Sequence, residues 1–156
     1  MSYTALLRDR GAGLVAAVSA SRSLAVGNAV IAIDPAVGAV ASQAWTNRLL
    51  RHELLEAMAG GASAESAIAR IADWDDEPQL RQAAALAFDG PPAAFTGARN
   101  TPWAGELVLA DAVLIGNLLT GGEVLDAMAA VLRDDPPARE GAASGADAGS
   151  AVAARL

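Results

Sequence analysis

Cysteine is missing from all 156 residues. That excludes disulfides, a thiol nucleophile and thiolate metal sites. Histidine occurs once, as His52, between Arg51 and Glu53 in a stretch with helical spacing, where a surface position is expected. A hydroxyl–imidazole triad therefore has little to stand on. Aromatic residues make up 4% of the chain against 53% apolar, so the core must be built from Ala, Val and Leu with close backbone packing. An excess of basic residues is also lacking. The formal net charge is −7, which argues against nucleic acid as a partner and fits a surface that keeps a protein in solution. No apolar run reaches the roughly 20 residues of a membrane-spanning helix. The amino-terminal MSYTALLRDR lacks the basic start and long apolar core of a signal peptide. The expectation is a cytoplasmic protein with neither nucleic acid nor membrane as partner.

What is present is organised around residues 20–47, ASRSLAVGNAVIAIDPAVGAVASQAWTN. Two short apolar runs, 29–33 and 37–41, are joined by Asp34-Pro35, a turn pair because Pro presets φ and Asp bonds its own backbone. Polar side chains sit at the ends of both runs: Ser21, Arg22, Ser23, Asn28, Ser42, Gln43, Thr46 and Asn47. Such runs are either sheet strands carrying a site at their termini or core strands with polar caps. Residues 2–8 and 14–19 are expected to form a hairpin before them. Apolar residues on both faces of a strand mark a sheet covered on both sides. The period then changes. Leu50, Leu54, Leu55 and Met58 predict a helix over 47–59, stopped by Gly60-Gly61. Ser63 caps a second helix over 63–74. The acidic run Asp73, Asp75, Asp76 and Glu77 lacks the loop pattern of a calcium site and reads as a solvated loop. Strands follow at 80–88 and 93–96, joined through Asp89-Gly90. Residues 97–105 are expected to be a loop, 108–115 one strand and 123–132 a helix. The stretch 134–149 has linker composition, and 150–156 begins a helical pattern that stops within two turns. Strand and helix runs in this order predict one α+β domain over 1–133, with two mostly antiparallel sheets and helices outside each.

Ser2 is the sharpest candidate for chemistry. Initiator methionine is normally removed before a small residue. The new terminus would carry a hydroxyl nucleophile beside an α-amine of pKa about 8, able to act as its own general base. Asn117, after Gly116 at a strand end, has an amide that can donate to an oxyanion. Three glycines in 11–27 form no dinucleotide fingerprint. The pattern calls for no cofactor and no metal.

Several segments together carry a resemblance: ASRSLAVG (20–27), VGAVASQAWTN (37–47), LLEAMAGGASAESAIARI (54–71), QLRQAAALAFDG (79–90), AAFTG (93–97), PWAG (102–105) and GNLLTGGEVLDAM (116–128). In order and spacing they resemble the domain-of-unknown-function 1028 family, placed with the N-terminal-nucleophile (Ntn) hydrolase-like proteins. The resemblance covers residues 2 to about 133. It implies an αββα sandwich and a hydroxyl residue after methionine, usually threonine, where this chain has Ser2. It implies amide-bond chemistry: Ser2 as nucleophile, Asn117 at the oxyanion, and Arg22, Gln43, Thr46 and Asn47 binding a small amide or cyclic amide. Two positions depart from the family's pattern, Ile115 in place of glutamine and Glu106 in place of histidine. The family also continues past a helix like 150–156 into a further strand. The expected partners are therefore a small-molecule substrate and either a second chain completing the fold or a symmetric copy. The alternative is a non-hydrolytic relative, catalysing cyclisation or isomerisation, or a structural subunit of a two-chain assembly.

Overall fold

The computed structural model describes residues 1–134. Two four-stranded antiparallel sheets face each other. The first takes β1 (Ser2–Asp9), β2 (Leu14–Ser21), β7 (Gly105–Val108) and β8 (Ala112–Asn117), in the order β2-β1-β8-β7. The second takes β3 (Ile31–Asp34), β4 (Gly38–Ala44), β5 (Arg81–Ala87) and β6 (Ala93–Thr96), in chain order. The longer helices lie outside the two sheets, as the expected α+β sandwich requires. On the second sheet, α2 (Leu49–Ala59) and α3 (Ala64–Ala69) bury Leu50, Leu54, Met58, Ala67 and Ile68 against Val40, Ala83 and Ala85. On the first, α5 (Glu123–Asp134) buries Leu125 and Ala129 against Ala5, Leu7, Ala112 and Leu114.

Strand alternation decides what fills the space between the sheets, because successive side chains point to opposite faces. In β1, Leu6 faces the inter-sheet layer while Ala5 and Leu7 face α5. Ala39 and Ala41 of β4, Ala84 and Leu86 of β5, and Val113 and Ile115 of β8 fill the rest of that layer. Small side chains suit a place where two backbones approach. Within the second sheet, Gly38 at the start of β4 has φ +147°, and a Cβ there would lie 2.2 Å from the Leu86 carbonyl oxygen of the neighbouring β5. The Asp34 turn forms as its chemistry dictates, with Asp34 Oδ1 accepting from the Ala36 N–H at 2.8 Å.

Three local readings change. Residues 26–30 form a short helix, α1 (Val26–Val30), so β3 is shorter than the run 29–33 suggested. Val26, Ala29 and Val30 have helical spacing and pack into the inter-sheet layer. A five-residue apolar run cannot by itself be told from a strand. The single strand expected over 108–115 is a hairpin, with β7 beginning inside the expected loop and a tight turn closed by Leu109 N–H to the Ala112 carbonyl. The helix over 63–74 breaks at Arg70, leaving α4 as Ile71–Trp74. The linker expected over 134–149 and the helix start at 150–156 lie outside the described residues, apart from Asp134, which ends α5. No helix among the described residues is long and apolar enough to cross a membrane.

Candidate functional site

The inter-sheet layer is apolar in its middle and polar at the end where β1 starts. The alternation that points Leu6 inward does the same for Thr4 and Ser2. Register then places Ser19 and Ser21 of β2 opposite Thr4 and Ser2, and Asn117 of β8 opposite Ser2 on the other side. The second sheet contributes its own row, Gln43, Gln82 and Thr96, which are register partners across β4, β5 and β6.

Hydrogen bonds join the two rows into one network. Thr4 Oγ1 donates to Gln43 Oε1 at 2.6 Å. Its single proton is thereby used, so Ser19 supplies the proton of the 2.8 Å hydroxyl pair with Thr4. Gln43 Nε2 donates to Gln82 Oε1 at 2.8 Å, and Asn117 Nδ2 donates to the same oxygen at 3.2 Å. The Gln82 amide nitrogen faces three acceptors: Thr96 Oγ1 at 2.9 Å, the Gly105 carbonyl at 3.0 Å and the Gly116 carbonyl at 2.8 Å. Thr96 in turn donates to the Glu106 carboxylate. Thr4, Gln43, Gln82 and Asn117 are all buried. A buried amide stays only where its polar atoms are partnered, and the oxygen and nitrogen of both Gln43 and Gln82 are.

The chain leaves the sheets at this end through strained backbone. Ala44 follows Gln43 at φ 72°, and Leu118 follows Asn117 at φ 56°. Left-handed non-glycine residues cost on the order of 1–3 kcal/mol each. Leu118 is held by its N–H bond to the Thr101 carbonyl, and Leu119 by a reciprocal backbone pair with Trp103.

Ser2, Gln43 and Asn117 thus come together. Ser2 is half-buried, with Oγ 2.8 Å from Ser21 Oγ. The Met1 carbonyl accepts from the Arg22 N–H and from Ser21 Oγ. Arg22 and Thr46 are exposed where β2 and β4 run out. Asn47 lies apart, on the helix side of the second sheet. Its Oδ1 accepts from the Leu49 N–H at the start of α2, and its Nδ2 donates to Asp75 at 2.7 Å. Asp75, read above as part of a solvated loop, is buried against Arg81. Arg81 and the Asn47 and Glu77 N–H donors, Arg81 foremost, hold its carboxyl at about 2 in spite of burial. His52 is exposed. Among the described residues no group of three or more His, Asp or Glu side chains is placed to hold a metal.

Sequence reasoning missed Thr4, Ser19, Gln82 and Thr96. Gln82 and Thr96 stand singly on the inward face of their strands, whereas for Thr4 and Ser19 the signal was present as polar residues recurring at period two inside otherwise apolar strands, in SYTALL (2–7) and VSAS (18–21). It pointed to a buried polar face only once the partner sheet was in place.

A helix-flanked sandwich of two antiparallel sheets, with carboxamides and hydroxyls gathered between the sheets at one end, is the class that this architecture defines. The chain belongs to the family of unknown function DUF1028, whose model matches residues 2–152. It is similar to a crystal structure of a Silicibacter pomeroyi protein described with the same family, at 28% identity and a TM-score of 0.81. That similarity covers 99% of this chain and 69% of the other. No curated protein matches the chain.

Proposed function

We propose that the protein is an Ntn-type hydrolase of a small amide or cyclic amide, with Ser2 as nucleophile after removal of Met1. The observation that carries this reading is the position of Ser2. It opens the strand that enters the polar end of the sandwich, with one hydroxyl neighbour at 2.8 Å and Asn117 as its register partner. In the reaction, Ser2 Oγ attacks the amide carbonyl carbon while its proton passes to the Ser2 α-amine, directly or through a water. The tetrahedral oxyanion accepts from Asn117, whose Nδ2 has a second hydrogen beyond the one given to Gln82. Collapse breaks the C–N bond, and the leaving nitrogen takes the proton from the α-ammonium. Water then hydrolyses the acyl ester and regenerates the hydroxyl.

Arg22, exposed at the rim, suits a substrate carboxylate, and Thr46 offers a hydroxyl at the neighbouring strand end. Gln43 acts by bracing Thr4 and Gln82, and Asn47 by fixing the chain between β4 and α2. The non-hydrolytic or structural alternative is favoured by one observation: Gln43 is bonded through both its amide oxygen and nitrogen to Thr4 and Gln82, and Asn117 already gives one amide hydrogen to Gln82. Either reading accommodates a second chain or another copy, for which the outer face of the first sheet offers an apolar groove. Tyr3, Ala5, Val18, Leu114 and Met128 line it.

Intact mass and an amide panel test the proposal together. The expected result is a mature chain beginning at Ser2 that releases amine from at least one small amide, with no turnover by Ser2→Ala and retained turnover by Ser2→Thr. A mature chain that keeps Met1, or full activity in Ser2→Ala, overturns it.

A further inference from the structure

The open end of the β1–β2 hairpin holds a carbonyl between two donors. The Met1 carbonyl oxygen accepts from the Arg22 N–H at 3.3 Å and from Ser21 Oγ at 3.1 Å. Ser21 is fully used there. A hydroxyl has one proton and two lone pairs. The Ser21 proton goes to Met1. Its lone pairs accept from the Ser23 N–H at 3.1 Å and from Ser2 Oγ at 2.8 Å. The proton count therefore fixes the direction of the Ser2–Ser21 bond: Ser2 donates. Met1 is 45% exposed, so this cradle opens to solvent.

Charge around the cradle has one sign. No Asp or Glu occurs between Leu14 and Ile33, nor in β1 before Asp9 at its far end. Arg22 is exposed and forms no ion pair among the described residues. In a chain of net charge −7, the hairpin end carries Arg22 and the terminal amine and no carboxylate. Removal of Met1 takes the acceptor away from the Arg22 N–H and the Ser21 hydroxyl. It also frees the Ser2 α-amine, an ammonium at neutral pH because its ordinary pKa is about 8.

We propose that, in the chain beginning at Ser2, this cradle binds the carboxylate of a small organic acid. One carboxylate oxygen takes the place of the Met1 carbonyl, accepting from the Arg22 N–H and Ser21 Oγ. The other meets the Ser2 α-ammonium, and the Arg22 guanidinium adds a second positive charge at the rim. Charge-assisted bonds of this kind are roughly twice as strong as neutral ones. The inference shares with the Ser2 reading only the loss of Met1. Where Ser2 hydrolyses an amide, the acid released is a ligand of this class; where it does not, the cradle still binds one.

Two forms of the full chain decide the matter, each released from a fusion by a site-specific protease: one begins at Ser2 and the other keeps Met1. Sodium acetate is titrated into each and followed by backbone amide chemical shifts, with sodium chloride at matched ionic strength as the control. Saturable shifts of Arg22 and Ser23 are expected in the form beginning at Ser2. They are not expected in the form keeping Met1, whose own carbonyl fills the cradle. Ser21→Ala in the shorter form should weaken acetate binding about tenfold, the scale of one hydrogen bond to a charged group. Should that variant not fold, the comparison of the two wild-type forms decides alone. Equal shifts in the two forms, shifts no larger than those from sodium chloride, or undiminished binding by Ser21→Ala would each overturn the proposal. Amide turnover does not enter the readout, so a failed amide panel and a failed titration are separate results.

Discussion

Gln82 holds more of the interior together than any other side chain at the polar end. Its carboxamide oxygen accepts twice, and its nitrogen has three acceptors to serve. Replacing it with methionine keeps the volume and removes every partner at once. Gln43 Nε2, Asn117 Nδ2 and two carbonyl oxygens would then lose a bond in a water-poor place. A buried group left unsatisfied costs about 1–3 kcal/mol, so Gln82→Met should lower unfolding stability by about 3 kcal/mol. Urea denaturation measures this, and a loss under about 1 kcal/mol would show that the network is not a structural unit. Asn117 was legible in the sequence because Gly-Asn ends a strand. Gln82 was not, since a lone glutamine among alanines carries no motif and its meaning depends on two strands from the other sheet.

Elements here are pinned to one another by short polar clamps as well as by packing. Asp75 joins three of them: it accepts from Asn47 before α2, from the Glu77 N–H, and from Arg81 at the start of β5. Its carboxyl is held at about 2, against about 3.9 for an unperturbed aspartate. A carboxyl depressed in the folded state stabilises above its unfolded value, and that stability is lost as pH falls from about 4 to about 2. The difference is on the order of 2 kcal/mol at neutral pH. Asp75→Asn should therefore cost about 1–2 kcal/mol at pH 7, with the gap to wild type narrowing below pH 4. Denaturation midpoints of both proteins at pH 7 and pH 2.5 give the comparison; an equal gap at both would mean that the charge is not what matters. The element boundaries misread from sequence share a cause with this clamp. The strand expected over 108–115 is a hairpin whose turn residue, Asp111, is held by Arg8 and Arg10 from a distant part of the chain.

At the scale of the whole molecule, Arg8 closes the end of the sandwich opposite Ser2. Its side chain is fully buried. It donates to the carbonyls of Ala87, Phe88 and Gly90 from the second sheet, and to the Ala110 carbonyl and Asp111 from the first. Burial pushes the Asp111 carboxyl up, but the hydrogen bonds from Arg10 and Arg8 outweigh it, so the group stays below the usual carboxylate range. The two sheets are thus tied by a charged clasp at one end and an amide network at the other, with an apolar layer between. On the outer face, the groove beside α5 includes Val131, which is 56% exposed. Apolar surface of this kind marks an interaction site when it is extensive. If a second chain or a copy covers it, light scattering at micromolar concentration should report a dimer or larger; a monomer would count against the partner reading.

The sequence by itself determined the α+β class, because the hydrophobic period changes from two to three-and-four and back along the chain. It determined the Asp34-Pro35 turn and the Gly60-Gly61 stop, which local backbone chemistry governs. It singled out Ser2 and Asn117, because a small hydroxyl residue after methionine and an amide at a strand end are local features. Only the tertiary structure decided that these two are register neighbours, that Gln82 bonds Asn117 from the opposite sheet, that Asn47 belongs to the Asp75 clamp, and that Glu106 bonds Thr96 at the edge of the amide network. Each of those depends on which strands pair and which faces meet, and a single chain segment carries no record of the residue that will lie across from it.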